Sequence, residues 1–383
     1  MRISLVGPTH PYKGGGARHT TELAHQLAAR GHEVVIESWR AMYPERLYPG
    51  RQTVEAPEGE PFPATRRALA WNRPDSWWRA GRRMGRGADL VVLTVLIPPQ
   101  AVPYLGVLAG VGGRARTLAL CHNVLPHERG PADTALMRTL LRRADAVLAH
   151  SPEQARLARG LTGPGADVRT AALPPHLPTA PGGGPGSSGG GGGGASSSGG
   201  GGGGGGRRDR LLFFGIVRPY KGVDVLLRAL AAGAPPEVRL TVAGEFWGGA
   251  AEELRALARE LGVADRVEFR EGYVPAEDIP GLFADADAVV LPYRTATATQ
   301  NVWLAHEHGL PVVATRAGAL PEQVTDGVDG LLCAPDDPAD LAGALARLYA
   351  PGEAERLRAG VRTADPKPVW DAYIDALTAP GPP

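Results

Sequence analysis

The sequence contains few cysteines, few lysines and no long apolar run, and each shortage narrows what the protein can be. Its two cysteines, Cys121 and Cys333, lie far apart among 383 residues, so neither a disulfide framework nor a cysteine-based metal site is indicated. No stretch of about 18 apolar residues could cross a bilayer, and the first residues lack the apolar core of a signal peptide. We therefore expect a cytoplasmic protein, with peripheral attachment to the inner membrane face as an open alternative.

Charge is nearly balanced overall but unevenly distributed along the chain. The formal net charge is +1, yet basic residues exceed acidic ones in residues 1–175, and the reverse holds in the remainder. Such asymmetry indicates either that the two halves meet different partners or that they attract each other. No nucleic-acid-binding motif accompanies the basic half, so nucleic acid is not an expected partner.

A low-complexity segment divides the chain. Residues 182–206 are almost entirely glycine and serine, which cannot bury enough apolar surface to offset the entropy lost on ordering. We interpret residues 176–209 as a disordered linker between an N-terminal domain, 1–175, and a C-terminal domain, 210–365. Residues 366–383 form a separate C-terminal segment.

Short β-rich runs alternate with helical segments on both sides of this linker, a pattern typical of α/β proteins. It predicts two Rossmann-like domains, each built on a doubly wound parallel sheet. The tetrapeptide PYKG follows the first predicted strand of each half, at 11–14 and 219–222, which supports two similar units. The predicted strands are 3–7, 33–37, 89–96, 117–121, 146–150, 211–215, 239–244, 267–272, 288–293, 311–315 and 330–334.

The loop after the first strand of each half is the best candidate for binding a ligand. Ligands of such sheets lie at the carboxyl ends of the strands. In the first half Gly14, Gly15 and Gly16 would let the backbone approach an anion at a helix N-terminus, although an ordinary turn is the alternative. In the second half Lys221, as a point charge, and Arg218, bidentately, could reach one diphosphate.

Further polar residues follow other predicted strands. His122 lies directly after the strand 117–121 and is expected in the cleft, with His127 as a weaker candidate. No convincing metal-ligand spacing accompanies them, so no metal is expected. Thr299 precedes a predicted helix whose free amides offer an anion site. Glu322 could bind ribose or sugar hydroxyls, or could cap a helix.

Several segments, taken in this order and spacing, resemble the retaining glycosyltransferases of family 4, which adopt the GT-B fold. The resemblance implies a nucleoside-diphosphate sugar in the C-terminal half, with no other cofactor, and a glycan or lipid-linked acceptor in the N-terminal half. It also implies that the segment 366–383 crosses back onto the first domain. The matching segments are GHEVVIE, CHNVLPHE, FGIVRPYKGVDVLL, VAGEFW, ADAVVLPYR and GLPVVATRAGALPEQVTDGVDGLL.

The resemblance also implies roles for particular residues. The cations of the second loop would stabilise the departing diphosphate without a metal, and retention would proceed through an oxocarbenium-like state. The predicted catalytic residues are His122, Arg218 and Lys221. The predicted donor-binding residues are Gly14, Gly15, Gly16, Glu245, Tyr273, Val274, Thr299 and Glu322, and the predicted acceptor-binding residues are Lys13, His19 and His127.

The sequence departs from the family pattern where the family often has an E-x7-E pair of carboxylates. Ala296 and Leu304 stand at those positions, and Ile216 stands where an arginine is common. Some branches lack the pair, and we place this chain among them. A catalytically degenerate subunit that binds sugar nucleotides, or a nucleotide-sugar epimerase, therefore stays open as an alternative.

Residues 66–86 hold seven arginines together with Trp71, Trp77 and Trp78. A basic, tryptophan-bearing segment could lie on an anionic membrane surface and collect a lipid-linked acceptor. A solvated helix with its tryptophans in the core is an equally good interpretation.

Overall fold

The computed structural model describes residues 1–44, 52–57, 59–176 and 209–381. The predicted fold class is confirmed, because two parallel sheets are each flanked by helices. The first unit contains the strands and helices β1 Arg2–Val6, α1 Gly15–Ala29, β2 Glu33–Ala41, β3 Thr65–Ala70, α2 Pro74–Gly87, β4 Leu90–Val95, α3 Ala101–Val111, β5 Arg116–Cys121, α4 Asp133–Leu141, β6 Ala146–Ala149, α5 Pro152–Thr162 and β7 Asp167–Thr170.

The second unit is smaller and repeats the alternation of strand and helix. It contains β8 Arg210–Phe214, α6 Val223–Ala232, β9 Arg239–Gly244, α7 Ala250–Glu260, β10 Val267–Glu271, α8 Ile279–Ala284, β11 Ala288–Leu291, α9 Asn301–Glu307, β12 Val312–Thr315, α10 Leu320–Gln323, β13 Gly330–Cys333, α11 Pro338–Leu348 and α12 Glu353–Gly360, followed by α13 Pro366–Thr378.

In both sheets, the order in which strands are added reverses direction beside the first strand. The first sheet has the order β3-β2-β1-β4-β5-β6-β7 and the second β10-β9-β8-β11-β12-β13, with every pairing parallel. The chain therefore leaves β1 and β4, or β8 and β11, towards opposite sides, and a crevice opens at their carboxyl ends. This crevice is where the two PYKG loops lie.

The central strands are continuous apolar runs because helices cover both of their faces. Every residue of Leu90–Val95 and of Val312–Thr315 is buried. Each of the eleven predicted strands has a counterpart, but β3 and β7 were missed. Both are edge strands that contain charged residues, so neither shows an apolar run. The segment 66–86 divides into a strand and a helix.

The last helix packs on the first sheet. Trp370, Tyr373, Ile374 and Leu377 of α13 are buried among residues of β1, α1 and β5. The helix therefore completes the core of the first unit, although it follows the second unit in the chain. Residues 177–208, which include nearly all of the predicted linker 176–209, lie outside the described residues, and the predicted boundaries stay a prediction. Within the described residues, no helix is long and apolar enough to cross a membrane.

Candidate functional site

The candidate site lies where the two switch points face each other. After β1, Gly14 has a φ of +90° and precedes α1 without a side-chain cap. A Cβ atom at Gly14 would have no neighbour within 4 Å, so its backbone borders open space. After β8, Gly222 has a φ of +68°, and a Cβ there would lie 1.9 Å from the carbonyl oxygen of Pro292. Only glycine fits this turn, which brings Lys221 against the loop that follows β11.

Lys221 is a cation without an anionic partner among the described residues. Its Nζ atom lies 3.6 Å from the centroid of the Tyr293 ring and 5.2 Å from that of Tyr220. Burial lowers the pKa of Lys221. A half-buried ammonium held by aromatic rings alone would gain strongly from a bound anion, because a close anion would offset the cost of desolvation.

Arg218 lies on the same loop but is already paired. Its guanidinium binds the carboxylate of Glu128 at 2.5 Å and lies over the Trp247 ring, 5.0 Å from the ring centroid. Glu128 comes from the loop after β5, so this ion pair joins the two units across the cleft. Both side chains are more than a third exposed, so the pair is screened and weak.

Further hydrogen bonds close the cleft. The Nζ atom of Lys13 lies 2.5 Å from a carboxylate oxygen of Glu245 and 5.0 Å from the Tyr273 ring centroid. The side chains of Lys13 and Glu245 are both largely buried. The predicted acceptor residue Lys13 and the predicted donor residues Glu245 and Tyr273 are therefore brought together. Three other pairs cross the same interface: Arg18 with Tyr273 at 2.9 Å, His127 with Thr295 at 2.7 Å and Asn123 with Thr297 at 2.7 Å.

His127 is neutral at physiological pH. It stacks on Tyr220 with ring centroids 4.2 Å apart, and burial together with the charge of Lys221 lowers its pKa to about 4. A neutral imidazole beside Lys221 can donate or accept a hydrogen bond without adding positive charge.

His122 belongs to a cluster of four buried or half-buried histidines beneath the cleft. Its ring centroid is 4.9 Å from that of His19 and 4.9 Å from that of His150, while His176 lies 5.0 Å from His19. The Tyr373 hydroxyl, from α13, lies 3.0 Å from Nε2 of both His19 and His150. It can donate to one ring while accepting from the other.

Burial keeps all four imidazoles neutral. It lowers the pKa of His150 to about 3 and of His176 to about 4, and holds those of His19 and His122 well below the usual value. The Nε2 atom of His122 is buried and has no hydrogen-bond partner among the described residues.

The acceptor role predicted for His19 does not agree with its position. Its side chain is 0% exposed, because it lies on the inner face of α1 and bonds to Tyr373. Gly16 is likewise a packing residue, since a Cβ there would lie 2.7 Å from the Leu96 side chain. Gly15 is exposed in the first turn of α1.

The remaining predicted donor residues occupy different places. Val274 is half-buried next to Tyr273, and the Thr299 hydroxyl accepts a hydrogen bond from the amide of Asn301 at the start of α9. Glu322 is exposed on α10 and lines a cavity of about 350 Å³ that also contains Trp303 and His306. Glu322 is not among the residues that join the two units.

Asn123 and Glu128 were not predicted to bind a ligand or to close the cleft, although both lie in the segment CHNVLPHE. Their position directly after β5 could have predicted such roles, because polar residues after a parallel strand reach the cleft. Among the described residues no group of three or more His, Cys, Asp or Glu side chains is arranged to hold a metal.

A larger cavity, of about 890 Å³, opens beside the cleft along α1. Its walls come from α1, from the segment around Glu60 and from the start of α13. The lining carries side chains of both charge signs, with Arg18, Glu22, Gln26 and Trp370 among its residues. Because Arg18 lines it and also contacts Tyr273, this cavity borders the interface between the units.

Two family models match, one in each half. Residues 13–171 match Glycosyltransferase Family 4, and residues 208–351 match Glycosyl transferases group 1. Both halves of the chain are thus glycosyltransferase domains. The chain's resemblance to the family is therefore confirmed, whereas its place in a branch without the E-x7-E pair stays a prediction.

Known proteins resemble this chain either in part of its sequence or in its fold. The chain is 38% identical over 177 residues to a D-inositol 3-phosphate glycosyltransferase of Thermomonospora curvata, which covers 44% of this chain and 41% of that protein. The match thus spans less than half of the relative's length. Solved structures with 17% identity share the fold: HepE of Anabaena in complex with UDP-glucose (TM-score 0.70, covering 99% and 100%) and sucrose-phosphate synthase of Thermosynechococcus elongatus (TM-score 0.69, covering 98% of each).

Proposed function

We propose that the protein transfers a hexose from a nucleoside-diphosphate sugar to a hydroxyl of a glycan or lipid-linked acceptor, with retention at the anomeric carbon. The match of both halves to glycosyltransferase family models supports the reaction class. HepE, which shares this fold, is seen in complex with UDP-glucose, a nucleoside-diphosphate sugar. The identities of the donor sugar, its base and the acceptor are part of what we propose for this chain.

The observation on which the proposal depends is the position of Lys221. This ammonium lies at the switch point of the second unit, and its Nζ atom is close to the rings of Tyr293 and Tyr220. Arg218 adds a second cation when Glu128 releases it. Two cations would neutralise the charge that builds on a departing diphosphate, and the uncapped first turn of α1 would add amide donors.

His122 would orient the donor sugar. Its unpartnered Nε2 atom can bond to a sugar hydroxyl, and its low pKa keeps the ring neutral, so it adds no competing cation beside the diphosphate. The contacts between the units would exclude water and so limit hydrolysis of the donor. No metal is needed in this scheme, because the loop cations supply the positive charge.

The acceptor would bind in the 890 Å³ cavity beside α1. Its carboxylate, amide and aromatic side chains suit a molecule with many hydroxyls. The name of the Thermomonospora relative contains D-inositol 3-phosphate, a phosphorylated cyclic alcohol. Arg18, in the cavity wall next to Tyr273, is the residue we assign to a phosphate on such an acceptor.

A second candidate is a sugar-nucleotide-binding protein without transferase activity. Ala296 and Leu304, at the positions of the family's carboxylates, are both buried and cannot contact ribose or sugar hydroxyls by charge. Glu307 lies one turn beyond Leu304 and lines both cavities. A binding protein of this kind would keep the cations of the donor site but would not turn over.

A turnover assay distinguishes the transferase from the non-catalytic binding protein. The protein would be incubated with UDP-, GDP- or ADP-hexoses and with inositol phosphate, monosaccharide or lipid acceptors, and release of free nucleotide would be measured. The proposal predicts acceptor-dependent release, with an α-linked product from an α-linked donor by NMR. Nucleotide binding without acceptor-dependent release would instead support the non-catalytic candidate.

A further inference from the structure

Helix α2 presents one exposed face made almost entirely of arginine and tryptophan. Trp77, Ala80, Gly81, Met84 and Gly85 are buried, a spacing of three and four residues that turns one side of the helix to the core. The opposite side is exposed and carries Trp78, Arg79, Arg82, Arg83 and Arg86.

The three tryptophans of this region differ in burial. Trp77 is a core residue whose indole donates a 2.7 Å hydrogen bond to the carbonyl oxygen of Ala70. Trp78 and Trp71, in contrast, are 46% and 42% exposed. The Arg82 guanidinium lies 4.7 Å from the Trp78 ring centroid, so the exposed indole is embedded among cations.

Helix α3 lies beside α2 on the same face of the first sheet and contains no charged residue. Val102, which is 50% exposed, and Ala109 point away from the core, and Leu105 is only partly buried. These positions are three and four residues apart and form an apolar stripe. We call the exposed side of the two helices the α2–α3 face.

Glycine contacts fix the orientation of this face. A Cβ at Gly81 would lie 2.1 Å from the carbonyl oxygen of Val107, and one at Gly110 would lie 2.4 Å from that of Trp78. The two helix backbones therefore touch, and α2 cannot rotate to bury its arginines. The exposure of Trp78 is a consequence of this packing.

The positive charge of the region is only partly compensated. Seven arginines lie within residues 66–86, and Asp75 is the one acidic residue in that stretch. Asp75 pairs with Arg73 and Arg79, and Glu37 of β2 pairs with Arg66 and Arg83. Arg82 and Arg86 form no ion pair among the described residues.

We propose that the α2–α3 face binds the surface of an anionic lipid bilayer. Arginines would contact lipid phosphates, the exposed indoles would enter the interfacial layer, and the apolar stripe of α3 would lie against it. A nucleic acid would be attracted by the same charge, but it offers no partner for the uncharged stripe formed by Val102 and Leu105. The apolar stripe therefore favours the bilayer.

This surface would place the acceptor cavity near the membrane. Arg67 of β3, the edge strand that leads into α2, donates two hydrogen bonds to the carbonyl oxygen of His10, and His10 lines the 890 Å³ cavity. Membrane binding does not require the proposed transferase activity, and it can succeed or fail independently of it.

The test is flotation of the full chain with vesicles of phosphatidylcholine alone or with phosphatidylglycerol added. We expect binding to anionic vesicles only, weakening as salt rises. The double substitution Arg82→Glu with Arg86→Glu should lower the bound fraction at least tenfold. Trp78→Ser should lower it several-fold with less dependence on salt.

The matched control is Arg156→Glu with Arg259→Glu, which makes the same charge change on exposed arginines of α5 and α7. Equal loss of binding in this control would overturn the proposal, because only net charge would then matter. Absence of binding to anionic vesicles would overturn it too, as would tighter binding to duplex DNA or RNA that the Arg82 and Arg86 changes abolish. Circular dichroism melting of each variant establishes that it folds.

Discussion

At the scale of single residues, the pair between Glu128 and Arg218 occupies a cation that the donor diphosphate would need. Glu128→Gln keeps the shape of the side chain but removes its charge. Because the pair is exposed, its loss should change the free energy of unfolding by less than about 1 kcal/mol. Nucleotide binding should become several-fold tighter by isothermal titration calorimetry, since no carboxylate then competes for Arg218.

Asp89→Asn is the control for this substitution. Asp89 pairs with Arg2 at the amino ends of the strands, with similar exposure but far from the cleft. Its substitution should leave nucleotide affinity unchanged. If Glu128→Gln weakened nucleotide binding instead, Glu128 would be a part of the site and not a competitor within it.

The sequence was informative about residues in loops and less so about residues on helices. Lys221 and Arg218 were predicted in the cleft because a loop after a parallel strand can point nowhere else. His19 was predicted to bind the acceptor, but it lies within α1 on the buried side of the helix. Its partner Tyr373 is 354 residues away, a contact that no local pattern indicates.

At the scale of elements, the contact between α2 and α3 depends on glycine. Gly81→Ala places a methyl group 2.1 Å from the Val107 carbonyl oxygen, so the helices must separate. We expect a loss of about 3 kcal/mol in the free energy of unfolding, measured by urea denaturation, despite the better helix propensity of alanine. Gly87→Ala, in the same helix with no neighbour within 4 Å, should be neutral or slightly stabilising. Equal effects would contradict the close packing.

The histidine cluster joins α1, α13 and the loops after β5 and β6, and it should make the protein sensitive to acid. His150 has a pKa of about 3 when folded and an ordinary value near 6.5 when unfolded. The unfolded chain therefore binds the extra proton between these values, so stability is full above about pH 6.5 and falls as the pH is lowered. Each such histidine should lower the free energy of unfolding by about 2 kcal/mol when the pH falls from 7 to 5.

Urea denaturation at pH 7 and pH 5 measures this dependence. His150→Gln should reduce the pH dependence of the free energy of unfolding by about one histidine's share. A wild-type free energy of unfolding that is flat from pH 7 to pH 5 would contradict the buried, neutral state of the cluster.

The missed elements share a physical cause. Central strands such as β4 and β12 are buried on both faces and appear as apolar runs, so their sequences predict them. The edge strands β3 and β7 are partly exposed and carry arginine or aspartate. Their pairing comes from the neighbouring strand, and their own sequences resemble loops or charged helices.

At the scale of the whole molecule, the charge asymmetry has two sources. Lys13 pairs with Glu245 across the cleft, which fits attraction between a basic and an acidic half. The pair of Glu128 with Arg218 has the opposite sense, so attraction between the halves does not explain the whole pattern. Much of the remaining excess of basic residues lies within residues 66–86, on or near the α2–α3 face.

The central claim is that the cleft between the two units binds a nucleoside diphosphate through Lys221. The most direct test is thermal unfolding with UDP, GDP, ADP and their sugars, comparing the wild type with Lys221→Ala and with Lys367→Ala as an exposed-lysine control. At 100 times its dissociation constant, one nucleotide series should stabilise the wild type and Lys367→Ala by about 2.7 kcal/mol, and Lys221→Ala much less. Equal stabilisation of all three proteins, or of none, would contradict the claim.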